Sequence, residues 1–414
     1  MFIEVFLFSL LGVFLGVILG LLPGLHLNNL LPIFLSLAIL IPNPYLLITL
    51  IISAAIAQVF TSFIPSIFLG APDGDNNSLA VLPGHRLLLE GRGYEAIKLT
   101  VLGGLIALII SIIAVLVFGN YFASVYNLVR PFMVYPLIVV VLLMVLSEKH
   151  PTRMFFSVLI ILMSGILGIL VLNSSLVPQQ NALFPTFTGL FAISTLLVSI
   201  AEKSKIPKQQ PDAELKISKL NLTKSVVFAV IAGILIGLLP AVGVSQAATF
   251  MQYIGGLGEA RAFLVTLSGI NIANEVISLN SLYLISNPRS GASVAIERIL
   301  PQISFYDMLL FIGIILFTAG ITVPITLHLG RIVPSFLVKL NYTTLSLGII
   351  GFLLAAVTIA TGLYGLLVAF TSTAIGLSCA YLGVKRSNCM AVLILPSILF
   401  FAGLNPLILT LLNI

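Results

Sequence analysis

Apolar runs of about twenty residues, each closed by a short polar stretch, recur along nearly the whole chain. They fall at roughly 2–22, 28–41, 45–70, 96–118, 131–147, 154–173 and 183–200, and again at 222–240, 242–254, 263–286, 305–327, 334–382 and 388–412. A helix of about twenty apolar residues crosses a hydrocarbon core of ~30 Å. The pattern therefore predicts an all-α polytopic membrane protein, and no stretch has the short alternating strands of a membrane barrel. Residues 28–41 rise only about 21 Å as helix, too little to span alone. Residues 334–382 are long enough for two helices. About ten or more transmembrane helices follow, with two broken helices or re-entrant hairpins among them.

One segment occurs twice. GVILGLLPGLHLNN at 16–29 returns as GILIGLLPAVGVSQ at 233–246, sharing Gly16/Gly233, Gly20/Gly237, Leu21/Leu238, Leu22/Leu239 and Pro23/Pro240. Small residues precede both breaks at every fourth position, Gly12, Gly16, Gly20 and Ala229, Gly233, Gly237, a spacing that lets helix backbones approach closely in lipid. A broken membrane helix duplicated in two halves is the sequence signature of a transporter. The expected organisation is two structurally related repeats, 1–200 and 222–414, joined by the linker AEKSKIPKQQPDAELKISKLN at 201–221. That linker sets Lys203, Lys205, Lys208, Lys216 and Lys219 against Glu202, Asp212 and Glu214, an excess of lysine that places it in the cytoplasm. SEKHPTR at 147–153, with Lys149 and Arg153, lies two spans earlier and falls on the same side.

Composition removes the other classes. Hydrophobic residues make up 59% of the 414 and charged residues 8%, whereas a soluble domain carries about a quarter charged residues. The net charge of +6 resides in short loops, where it sets topology, so nucleic acid is not an expected partner. Cys379 and Cys389 sit among apolar neighbours and read as two unpaired, packed thiols; no CxxC or His-rich spacing suggests a metal. The first segment has neither a basic start nor a cleavage site and reads as a spanning helix rather than a signal peptide.

Polar chemistry concentrates at the breaks. After Pro23-Gly24 come His26, Asn28 and Asn29, and Gly243, Ser245 and Gln246 stand at the matching positions. A half-helix starting inside the membrane points free N–H groups and a positive dipole end outward, which suits an anionic substrate. The alternative is an interfacial turn whose asparagines cap the next helix. In GAPDGDNNSLAVLPG at 70–84, Asp73, Asp75 and Asn77 crowd together, and adjacent carboxylates repel unless a cation or proton sits between them. They are candidates for a coupling cation, Na⁺ or H⁺, against the reading of a solvated acidic turn. A calcium loop is excluded, because Ser78 stands where glycine is required. In GINIANEVISLNSLYLISNPRSG at 269–291, Asn271, Asn274 and Glu275 share a helical face. Glu275 lies within a spanning segment and is a functional candidate by default. Arg289 follows Pro288, the counterpart of Pro72, and suits either a substrate carboxylate or a structural ion pair. An intramembrane aspartyl protease would need its Tyr-Asp helix before Gly-x-Gly-Asp, but Tyr306-Asp307 follows Gly74-Asp75, and Pro72 replaces the first glycine. No cofactor fingerprint is present.

PGL at 23–25, IPNP at 41–44, the loop at 70–99, Gly103-Gly104, GLLPAVG at 237–243 and the helix carrying Asn274-Glu275 resemble, in this order, the large membrane subunit of tripartite tricarboxylate transporters. The chain is shorter than typical members, Ala241 breaks the second Pro-Gly pair, and Val276 and Ile277 stand where the family has an asparagine pair. The resemblance implies cation-coupled uptake of di- or tricarboxylates at the plasma membrane. It also implies a small membrane subunit and a solute-binding protein as partners, besides membrane lipid and the organic anion itself. The expected function is a secondary permease for small organic anions, coupled to Na⁺ or H⁺; the alternative is a flippase for a phosphorylated lipid carrier. No other cofactor is expected.

Overall fold

The protein is seen in a computed structural model that describes residues 2–410, apart from 23–26, 28–30, 32, 33, 35–40, 42, 73–77, 133, 149, 176, 179, 180, 202–206, 211–213, 239–242, 257, 258, 287, 338–341 and 407–409. The first half holds α1 (Phe2–Leu21), α2 (Pro44–Thr61), α3 (Phe63–Phe68), α4 (Val81–Leu89), α5 (Gly93–Phe118), α6 (Phe122–Val129), α7 (Val134–Leu146) and α8 (Pro151–Asn173). It closes with α9 (Leu183–Phe187) and α10 (Ser194–Ala201), joined by a π turn over Thr188–Ile193. The second half holds α11 (Lys219–Leu238), α12 (Val244–Ile254), α13 (Ala260–Ile285), α14 (Gly291–Ile299), α15 (Phe305–Leu337), α16 (Tyr342–Leu382) and α17 (Ala391–Phe401). No strand occurs among the described residues, and nine described helices are long and apolar enough to cross a membrane.

Local chemistry explains the boundaries. Asn43 caps α2 by accepting from the Tyr45 amide, with Pro44 at the first helical position, where a missing N–H is harmless. The helix breaks at Ser62, and Pro65 occupies the first turn of α3. α1 stops at Leu21, just before Pro23. α16 is two helical arms meeting at Gly362, whose φ of 69° is the left-handed conformation that glycine tolerates. α15 extends to Leu337 and keeps Pro324 and Pro334 inside it.

Two pairs of helices pack through their small residues. A Cβ placed on Gly12 would lie 2.6 Å from Ser53 Cβ, and one on Gly16 would lie 2.7 Å from Ala57 Cβ. Gly20 would meet Thr61. In the second half, Gly233 backs onto Ala273, Gly237 onto Ile277, and Gly269 faces Ala229. Both ladders climb together, so α1 runs parallel to α2 and α11 parallel to α13. The polypeptide therefore has to return to the starting face between the members of each pair.

Further contacts fix relative directions. Tyr45 bonds Asp307 and Thr318 bonds Ser53, so α2 and α15 run in the same sense. Arg261 meets Glu95 at the starts of α13 and α5, and Gly119 lies by Leu284 at their ends. Gly330, late in α15, packs on Ile97, early in α5, so these two oppose each other. It follows that α13 runs against α2. These two helices are also the most enclosed: their apolar windows are 100% (α2) and 94% (α13) buried, against 33% for α1, which turns Ile3, Phe6 and Phe14 outward. Polar groups on α2 and α13 are thus the ones that lipid does not reach.

Candidate functional site

α2 carries one amide inside its apolar run. The Gln58 Oε1 accepts the backbone N–H of Leu27 at 2.9 Å, tying α2 to the segment after the first proline break. Asn274 holds the matching place on α13. A Cβ on Gly20 would lie 2.9 Å from the Gln58 carbonyl oxygen, and one on Gly237 would lie 3.3 Å from that of Asn274. The Asn274 Oδ1 in turn accepts from Ser278 Oγ at 3.4 Å.

Beside Asn274, the expected face is present and buried. Asn271 is 1% exposed, and both of its amide atoms lack a hydrogen-bond partner among the described residues. Glu275, 9% exposed, has neither hydrogen bond nor ion pair among them. A carboxylate in such a place is expensive to keep charged unless something supplies positive charge or a proton.

α12 begins where the second proline break ends. The Gly243 N–H donates to Gln246 Oε1 at 2.6 Å, turning that side chain back over the start of the helix. The Gln246 Nε2 donates to Ser397 Oγ of α17 at 3.1 Å, and Ser245 Oγ pairs with Ser78 Oγ at 3.2 Å. Three distant parts of the chain therefore meet through small uncharged polar groups: the start of α12, Ser78 and α17. All four of these side chains are buried. Hydroxyl and amide groups of this kind offer both donors and acceptors without fixed charge. His85 of α4 is also enclosed, and burial holds its imidazole below the ordinary value, favouring the neutral form.

Other expected residues are distributed differently. Pro23, Gly24, His26, Asn28, Asn29, Asp73, Asp75 and Asn77 lie outside the described residues. Arg289 stacks 4.8 Å over the Tyr126 ring of α6, and its Nε and Nη2 lack hydrogen-bond partners among the described residues. No hydrogen bond described joins it to Ser245, Gln246 or Glu275. The Asp307 carboxylate accepts from the Tyr45 hydroxyl at 2.9 Å and from the Ser304 amide and hydroxyl at 2.8 and 2.7 Å. The two cysteines are free, buried and in contact at 3.2 Å.

Sequence reading passed over Gln58, Ser78 and Ser397, and also the acid at the start of α5. Glu95 is fully buried and binds Arg92, Arg261 Nε at 3.0 Å and the Lys216 amide at 2.8 Å. A signal existed: Tyr94-Glu95 and Tyr306-Asp307 stand at the same position in α5 and α15.

The family model described as the tripartite tricarboxylate transporter TctA family matches residues 6–391. The chain belongs to this family. A relative from Methanocaldococcus jannaschii, described only as an uncharacterized protein, is 34% identical over 407 residues, covering 95% of this chain and 98% of its own. No solved structure matches. The TctA family is a transporter family, and this member, with nine candidate spans among its described residues, is a multi-pass protein of the plasma membrane.

Proposed function

We propose that this chain is the large membrane subunit of a carrier that couples uptake of a small organic anion, a di- or tricarboxylate, to entry of a cation. The observation that carries this reading is the family match over residues 6–391. Gly243, Ser245 and Gln246 contact the anion at the start of α12, aided by the helix dipole. Glu275 and Asn274 take the coupling cation, Na⁺ or H⁺, because a buried carboxylate with no partner among the described residues has an energetic reason to bind one. The residues after Pro23 and the cluster at 73–77 complete the two sites. The halves are related repeats of opposite direction, in line with the opposed courses of α2 and α13. A small membrane subunit and a solute-binding protein are its partners.

Proteoliposomes holding the purified chain test this. Labelled citrate and succinate should accumulate when an inward Na⁺ or proton gradient is imposed and not in its absence. Scrambling of phospholipid headgroups in the same vesicles, with no carboxylate uptake under either gradient, would replace the carrier reading with a flippase.

A further inference from the structure

The two acids at the starts of α5 and α15 are counterparts in sequence and in contact. Each is the third residue of its helix and follows a tyrosine, in Gly93-Tyr94-Glu95 and Phe305-Tyr306-Asp307. Each reaches the second residue of a helix from the other half: Glu95 reaches Arg261 of α13, and Asp307 reaches Tyr45 of α2. The helices so reached, α13 and α2, carry Glu275 and Gln58.

The two contacts stand at opposite ends of the molecule. Gly330 packs beside Ile97, two residues from Glu95, and Asp307 lies at the far end of the same helix. From Asp307 to Gly330 α15 rises about 35 Å, more than the ~30 Å hydrocarbon core. The Glu95 end is the linker end: Gly93 N–H donates to Gln209 Oε1 at 3.0 Å, and Arg92 Nη2 donates to the Glu214 carbonyl at 2.7 Å.

Their strengths differ. Glu95 is fully enclosed and held by two guanidinium groups and a backbone amide, and hydrogen bonds between ionised partners are the strong ones. Among the described residues, a neutral phenol is what ties Asp307 across the halves.

We infer that Glu95–Arg261 and Asp307–Tyr45 are a pair of latches, one on each membrane face, that close the carrier to the linker side and to the opposite side respectively. This rests on the carrier reading. Each latch joins a helix of one half to a helix of the other at its own face. The heavier latch is the one on the linker face, and the resting protein admits solutes more readily from the other side.

The test reads access to the polar junction from each face. Ser78→Cys in a background of Cys379→Ser and Cys389→Ser is labelled with a membrane-impermeant maleimide in vesicles of either orientation. The parent should label faster from the face opposite the linker. Glu95→Gln should speed labelling from the linker face about tenfold, equivalent to ~1.4 kcal/mol, and leave the other face unchanged. Asp307→Asn and Tyr45→Phe should speed labelling only from the opposite face. Arg261→Gln, which keeps the Arg92 contact, carries the same test if Glu95→Gln does not fold. Changes on one shared face, or equal changes on both, would overturn the assignment. So would lowered thermal stability with no change in labelling, which marks the pairs as structural. Labelling needs no transported substrate, so directional latching without gradient-driven uptake would leave the latches standing and remove the carrier reading.

Discussion

Glu275 is the residue on which the proposed coupling turns, because a buried carboxylate with no partner among the described residues is expensive to keep charged. Glu275→Gln keeps the shape and removes the charge. It should fold, with a melting temperature in detergent near that of the parent, and should lose the effect of Na⁺ or pH on anion binding. Gln246 makes a different prediction. Its Oε1 accepts from the Gly243 amide and its Nε2 donates to the Ser397 hydroxyl, so Gln246→Ala should cost about 1–3 kcal/mol by removing both bonds. Differential scanning fluorimetry reads that loss, and the anion affinity should fall with it. Ser245 and Gln246 were legible in the sequence because the proline break recurs in the other half. Ser78 and Ser397 were not, since they meet these residues across 167 and 151 positions of chain, and no local pattern records such contacts.

At the scale of elements, the glycines divide into those that backbone approach requires and those that it does not. A Cβ on Gly168 of α8 would collide with the Val392 carbonyl, and one on Gly16 with the Ala54 carbonyl. Gly168→Ala and Gly16→Ala should each destabilise the protein by about 1–3 kcal/mol, because backbone cannot move aside as a side chain does. Gly351 has open space around it, and Gly351→Ala should be neutral or stabilising by up to ~1 kcal/mol through helix propensity. Thermal melts of the three variants under one set of conditions separate the classes. Spans were readable from apolar length, because lipid imposes it, and the stop at Leu21 from the proline beyond it. The turn at Gly362 and the π turn over Thr188–Ile193 lie inside unbroken apolar sequence, where hydropathy gives no sign of a corner.

For the molecule as a whole, the recurrence of the glycine–proline segments was visible in the sequence, but the direction of the helices around them was not. Direction depends on counting crossings, and short apolar pieces beside the breaks make the count ambiguous. The residue contacts resolve it for the central helices: α2 travels with α15, α5 with α13, and α5 against α15. Glu95 and Arg261 read as ordinary loop charges in the sequence, and only the packing brings them together across the halves. As a carrier, this folded chain would hold a carboxylate and a coupling cation at interacting sites. The most direct measurement is equilibrium binding of labelled citrate and succinate to the purified protein, with Na⁺ concentration and pH varied in turn. Saturable binding that tightens with one of these cations, and that persists in Glu275→Gln without the dependence, is the predicted result. No saturable binding of either anion to protein that melts cooperatively, or cation dependence unchanged in Glu275→Gln, would contradict the account.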